Sequence, residues 1–239
     1  MKWQTRVSDG KGVVRGEQLD KLVGKLTFTE MIFLTMTGKL PKENERKVLD
    51  AMFVAAVEHS VAAPSVSAAR IVASAGNTLN VGVAAGVLAI GEHHGGAIEK
   101  CAKILQEVQD VKGLIDAMLL RKERMPGYGH KVYKRDPRAL QLLEIALKEK
   151  VSGKFVRLAQ EIDHVLWKKT DKELHLNIDG AMAAILSDLG VPWQMARAFF
   201  IIPRTVGICA HVHEEIVFEK PYRRFDDEDV EYIEGKDEE

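Results

Sequence analysis

The sequence predicts an all-α protein. Apolar residues recur at helical spacing along most of the chain, helix start and stop signals bracket these runs, and no stretch alternates as the strands of a central sheet would. Phe155, Leu158, Ala159, Ile162, Val165 and Leu166 show the spacing most plainly, following the i, i+3, i+4, i+7 rule of an amphipathic helix.

In chain order, the N-terminus reads as a short extended pair around a turn at Ser8-Asp9-Gly10-Lys11-Gly12. Thr27-Phe-Thr-Glu30 offers a capping box ahead of Met31, Ile32 and Leu34, and Gly38 is placed to end that helix. Pro41 opens the next helix, with Val48, Met52, Ala55 and Ala56 on one face. Further helices are expected around 65–75, 79–91, 95–109, 111–124, 137–150, 178–189 and 192–217, several rich enough in Ala and Gly to pack closely. Asp226–Glu239 reads as an acidic, solvated tail.

The chain has 239 residues, enough for one large domain or two modest ones. A net charge of −1 supplies no bulk field toward nucleic acid or membrane. Cys101 and Cys209 lack paired spacing, which suits a reducing compartment. The first residues lack the apolar core of a signal peptide, and the apolar run Ala198–Val212 is interrupted by Pro203 and Arg204. A soluble, cytoplasmic protein without nucleic-acid or membrane partners is expected.

Three places carry residues that a helical core does not need. In Gly91-Glu-His-His-Gly-Gly-Ala97, two glycines after His94 open the backbone to a ligand just ahead of a helix start. Met125–Arg138 is a Gly-rich turn with a histidine and several cations, suited to an anionic ligand. In Asn177-Ile-Asp-Gly180, Asp179 falls at a helix N-terminus. Each has a plainer reading: His94 as a structural histidine, Asp179 as an N-cap, Arg138 as a solvated charge at a helix start, His59 as a capping or packing residue between helices. Together they make a better case for chemistry, although spacing alone does not bring them into one site. His93-His94, His211-x-His213 and Asp179 raise a metal centre. Adjacent histidines on a regular element point apart, however, and no Cys or His-Glu-x-x-His motif supports them, so no metal is expected.

The stretch Gly127-Tyr-Gly-His-Lys-Val-Tyr-Lys-Arg-Asp-Pro-Arg138 resembles the signature of the citrate synthase superfamily. His94-Gly-Gly-Ala97 is similar to that family's first catalytic histidine motif, and Asn177-Ile-Asp179 to the segment supplying its catalytic aspartate. Val14-Arg-Gly16 through Pro41, and Arg204–His211, are similar as well, so the resemblance covers nearly the whole chain. Ordinary citrate synthases carry a long multi-helix stretch between the segments matching Leu40-Pro41 and Glu58-His59. Here it is almost absent, as in the compact citryl-CoA lyases and the lyase module of ATP-citrate lyase, which the wording around His94 also resembles. Ala56 stands where many synthases have a further histidine, and Lys220-Pro221 or Arg223 where they have Arg-Pro.

The resemblance implies a citryl-CoA lyase, cleaving citryl-CoA reversibly to acetyl-CoA and oxaloacetate, with coenzyme A present as thioester substrate and product and no tightly bound cofactor. It implies that Asp179 exchanges the methyl proton of acetyl-CoA, that His94 hydrogen-bonds the thioester oxygen, and that His130 donates to the oxaloacetate carbonyl or, in cleavage, takes the hydroxyl proton. It assigns His59, Arg138, Arg204 and either Lys220 or Arg223 to the substrate carboxylates. Pro126, Gly127, Tyr128 and Gly129 would line the thioester end of CoA, and Lys172 would meet a CoA phosphate. It further implies a homodimer, and a large domain of 1–97 plus 200–239 with a smaller one, 98–199, inserted. The alternatives are a true citrate synthase that also hydrolyses citryl-CoA, a synthase of the 2-methylcitrate type, and a non-catalytic subunit beside a citryl-CoA synthetase.

Overall fold

The computed structural model describes residues 2–130, 132–170 and 174–233. The all-α expectation holds. Among the described residues, one short antiparallel pair, β1 (Val13–Val14) and β2 (Glu17–Gln18), precedes eleven helices. These are α1 (Leu19–Leu22), α2 (Phe28–Thr37), α3 (Glu43–Ala56), α4 (Pro64–Ser74), α5 (Leu79–Leu88), α6 (Ala97–Glu107), α7 (Val111–Leu120), α8 (Pro137–Lys148), α9 (Lys154–Thr170), α10 (Ile178–Asp188) and α11 (Trp193–Phe218).

The expected turn at Ser8–Gly12 forms: Asp9 N donates to the Val13 carbonyl (3.2 Å), Arg15 N to the Val7 carbonyl (2.8 Å), and an antiparallel bridge joins Ser8 to Val14. A second reversal, not expected, joins β1 to β2 at Arg15 and Gly16, whose φ values are 53° and 88°. Arg15 tolerates this conformation because its side chain is tied down at the end of α2. Its Nε donates to the Thr35 carbonyl (2.8 Å) and its Nη2 to that of Met36 (3.3 Å). The capping box of α2 forms as expected: Thr27 N donates to Glu30 Oε2 (2.7 Å), Glu30 N donates back to Thr27 Oγ1 (3.3 Å), and Gly38 closes the helix at φ 77°.

The chain forms two compact units, Met1–Glu58 with Gly91–Arg204, and His59–Ile90 with Thr205–Glu239. These boundaries differ from the 97/98 and 199/200 expected. In the first unit α3 packs on α8 and α10, and α10 also packs on α6 and α9, so the N-terminal helices and the middle of the chain share one core. Its centre is α10, apolar on every side, with Ala181 to Leu186 wholly buried. Polar side chains join its neighbours. Asp188, at the end of α10, accepts from Gly153 N, Phe155 N and Val156 N (2.8–3.0 Å), satisfying the free amides at the start of α9.

In the second unit, α4 and α5 pack with the later part of α11 through small residues. A Cβ on Gly86 would come within 2.8 Å of both Ile208 Cγ2 and the Ser65 carbonyl, so the helices approach more closely than any larger residue permits. By length and composition alone α11 could cross a membrane, yet its Phe199, Ile208 and Val212 are buried in protein. Arg70, on α4, is also buried, and its guanidinium reaches Glu215 (2.6 Å) and Glu214 (2.9 Å) on α11 and Glu219 (3.3 Å) just past its end.

Candidate active site

The Gly-rich turn before α8 is fastened to the segment entering α10. Gly129 N donates to the His175 carbonyl (2.8 Å), Asn177 N to the Gly127 carbonyl (2.9 Å), and Asn177 Nδ2 to the Gly129 carbonyl (2.8 Å). Gly127, at φ 83°, lies so close to α10 that an added Cβ would stand 2.7 Å from Gly180 Cα and 2.9 Å from Cys101 Sγ. Burial, with Asp179 nearby, pushes the Cys101 thiol up to about 12.

Asn177 caps α10, its Oδ1 accepting from Gly180 N at 3.2 Å. The plainer reading of Asp179 as the N-cap is therefore wrong. Asp179 stands in the first turn instead, and burial raises its carboxyl above the usual range. Arg138 and Arg204 offset that rise, Asp136 adds to it, and His130 offsets it slightly. His130, Arg138 and Arg204 thus each lie within electrostatic reach of Asp179 in the first unit.

Each partner is held in place. His130 Nδ1 accepts from Val132 N (3.1 Å) and Tyr133 N (3.2 Å). In the neutral ring the proton therefore sits on Nε2. Arg138 is gripped by Asp136, whose Oδ1 accepts from Arg138 Nε (3.0 Å) and whose Oδ2 accepts from Nη2 (2.9 Å). Arg204 is buried, donates from Nε to the carbonyl of Ala56 (3.1 Å), and lies 4.7 Å from the centre of the Phe200 ring. Burial lowers the Arg204 guanidinium pKa, while Glu58 and Asp179 oppose the shift. His94 meets the same Phe200 ring edge-on, with centroids 5.9 Å apart. A close pairing of Gly91 with His94, followed by Gly95 at φ 80°, presents that histidine at the start of α6.

Beside this cluster a cavity of about 840 Å³ is lined by Lys122, Arg124, Tyr128, Gly129, His130 and Lys169, among others. Tyr128 and Gly129, expected at the CoA thioester, line it, while Gly127 is buried against α10. Pro126 is half-buried in the same turn. Lys172 lies outside the described residues. His59, Lys220 and Arg223 belong to the second unit. There His59 is exposed between α3 and α4, and Lys220 and Arg223 line a cavity of about 760 Å³. Arg223 donates from Nε to the Glu215 carboxylate (2.7 Å) and pairs through Nη2 with Glu219 (3.4 Å). Among the described residues no three His, Cys, Asp or Glu side chains converge to hold a metal, and His211 pairs with Glu214 at 3.3 Å.

Sequence reading missed Asp136, Asn177 and Phe200 as parts of the site. Asp136 and Asn177 each carried a local signal, an Asp before Pro and an Asn two residues before the catalytic candidate, both patterns of helix N-caps. Phe200 carried none, because its contact with His94 joins residues far apart in sequence.

The family model for the citrate synthase C-terminal domain matches residues 13–224. This chain belongs to the citrate synthase family. The citrate synthase of Heyndrickxia coagulans is 32% identical over 219 residues, which span 87% of this chain and 58% of that protein. The chain thus spans little more than half the length of this relative. Among solved structures, citryl-CoA lyase from Hydrogenobacter thermophilus is 42% identical, with a TM-score of 0.93 over 99% of this chain and 96% of that one. ATP citrate lyase from Methanosaeta concilii shares the fold at 20% identity, with a TM-score of 0.86 over all of this chain and 42% of that one.

Proposed function

We propose that this protein is a citryl-CoA lyase, cleaving citryl-CoA to acetyl-CoA and oxaloacetate. The observation that carries this reading is the near-full-length likeness to a citryl-CoA lyase, whereas the citrate synthase relative extends far beyond the match. Internally, the single helix α3 lies between Leu40-Pro41 and Glu58-His59, where ordinary synthases carry a long multi-helix stretch.

Cleavage breaks the bond between the carbinol carbon of citryl-CoA and the carbon next to the thioester. Arg138 and Arg204 hold substrate carboxylates. The Nε2–H of His130 stabilises the oxygen that becomes the oxaloacetate carbonyl. Its Nδ1 is occupied by two backbone donors, so His130 acts as a donor in both directions rather than as the base expected for cleavage. The hydroxyl proton leaves to solvent. His94 donates to the thioester oxygen as the enolate forms, and Asp179 delivers a proton to the enolate carbon. The cationic cavity beside His130 takes the CoA portion.

The pH dependence follows from Asp179. Its raised pKa extends the protonated form, the one cleavage uses, above the usual carboxylate range. The cleavage rate should fall as pH rises through the Asp179 midpoint, and the condensation rate should rise through the same midpoint. Rate profiles in both directions on one preparation test this; parallel limbs would remove Asp179 from the proton transfer.

The protein acts as a homodimer in this proposal. α5 is apolar along its length but buries only Gly82 and Gly86 within the chain, leaving Leu79, Val81 and Leu88 exposed, Leu88 by 85%. Leu88→Glu should halve the mass in light scattering, and an unchanged mass would exclude this face. The substrate must come from an enzyme joining citrate to CoA, so a citryl-CoA synthetase is the expected partner.

The deciding experiment supplies citryl-CoA and follows oxaloacetate and free citrate. Rapid oxaloacetate with little citrate supports the lyase. Citrate as the main product, with condensation of acetyl-CoA and oxaloacetate, makes it a synthase, the reading that the curated relative favours. Neither product from folded protein makes it a non-catalytic subunit.

A further inference from the structure

We propose that Asp136 is a positioning residue that sets two catalytic groups at once, gripping the Arg138 guanidinium with one carboxylate while anchoring the start of the helix that carries Asp179. The inference rests on the lyase reading for what Arg138 and Asp179 do, but not for the geometry that joins them.

Asp136 is 2% exposed as a residue, and its carboxylate takes four donors. Oδ1 accepts from Arg138 N (3.1 Å) and Arg138 Nε (3.0 Å), and Oδ2 accepts from Arg138 Nη2 (2.9 Å) and Ile178 N (3.1 Å). The first contact caps α8. The next two form a planar fork that fixes the guanidinium in both direction and rotation, which a single contact cannot do. The fourth crosses forty-two residues to the amide directly before Asp179.

Ile178 is the first residue of α10, so its amide is among those that no carbonyl within the helix can satisfy. Asn177 serves the Gly180 amide and Asp136 serves that of Ile178, leaving the Asp179 side chain to face its charged neighbours. Burial alone would favour the neutral form of Asp136. The bonds and charge of Arg138, with the Ile178 amide, outweigh it and hold the carboxyl below its usual range. Asp136 therefore stays ionised beside Asp179, and its charge is one reason Asp179 titrates high. The groups around Asp179 are Arg138 on α8, Arg204 on α11, His130 in the turn, Asp136 at the α8 cap and Cys101 on α6. Of these, Asp136 bonds both to the substrate arginine and to the backbone of α10.

The test compares wild type with Asp136→Asn by citryl-CoA kinetics and by carbon-detected NMR titration of the Asp179 carboxyl. The expected result is a kcat lower by about 10²-fold, as for a misplaced reacting group, a KM higher by about 10-fold as the arginine loses its fork, and an Asp179 midpoint moved to lower pH. A folded variant with kinetics within two-fold of wild type and an unmoved midpoint overturns the proposal. Should Asp136→Asn fail to fold, Asp136→Glu keeps the charge but displaces it by one methylene. It should leave the midpoint raised while lowering kcat, and wild-type kinetics in that variant also overturn the proposal. A wild type with no turnover would refute the lyase reading instead, and the titration, which needs no turnover, would still decide the role of Asp136.

Discussion

Asp179→Asn is expected to lower turnover about 10³-fold and to raise the melting temperature. The rate loss follows, in the lyase proposal, from removing the group assigned to carry the proton to or from carbon, a loss in the range found for positioned acid–base residues. The stability gain follows from the direction of the carboxyl's shift. A group whose folded pKa lies above its unfolded value contributes stability that is complete below the unfolded value and lost as pH rises through the folded one. Above its raised midpoint the ionised carboxylate is therefore held at a cost that its attraction to Arg138, Arg204 and His130 does not recover. Asparagine has the same shape without the charge, and a gain of about 1 kcal/mol is of the usual size for relieving such a site. Thermal unfolding at one pH above and one pH below the Asp179 midpoint checks it. The gain should be present at the higher pH and shrink at the lower. Equal melting temperatures at the higher pH would mean that the attractions balance the burial.

Gly127→Ala should damage folding and catalysis together. The new methyl group would fall 2.7 Å from Gly180 Cα and 2.9 Å from Cys101 Sγ, on a residue whose φ of 83° already disfavours any side chain. Strain at such a backbone conformation and overpacking of a filled core each cost about 1–3 kcal/mol, so a loss of about 3 kcal/mol in denaturant unfolding is expected. The surviving folded fraction should turn over about 10²-fold more slowly, because the turn that presents His130 must move to make room. A stable Gly127→Ala with normal kinetics would mean that the turn can slide without disturbing the site. That outcome is hard to reconcile with its three hydrogen bonds to residues 175–177.

The helices were legible because their signals are local. Thr27, Glu30 and Gly38 announce α2 at both ends, Pro64 and Pro137 open α4 and α8, and the periodicity of α9 is carried by its own residues. The turn at Ser8–Gly12 was legible, but the second reversal at Arg15 was not, because Arg15 holds a conformation that local preference assigns to glycine and its stabilising partners lie twenty residues away on α2. The same contrast runs through the site. His94, His130, Arg138, Asp179 and Arg204 stand out in motifs, but the contacts that orient them do not. The Asp136 bond to Ile178, the Ala56 carbonyl on Arg204 and the Phe200 ring beside His94 all join segments far apart in sequence, and no periodicity records them. The pairing of Arg70 and Arg223 with Glu215 was likewise invisible, since it depends on how α4 and the C-terminal segment meet α11.

Asp179 stands on the helix at the centre of its unit, and this ties turnover to cooperativity. Enzymes with reactive groups on surface loops can lose a peripheral segment and still keep a working centre. Here α10 has no exposed face to stabilise it alone, and it is marginal in length for an isolated helix. Any opening large enough to release α10 dissolves the hydrophobic core as well. Partly unfolded states of this unit should therefore be inert, and the slowest amide hydrogens to exchange should lie in the same eleven residues that hold Asp179.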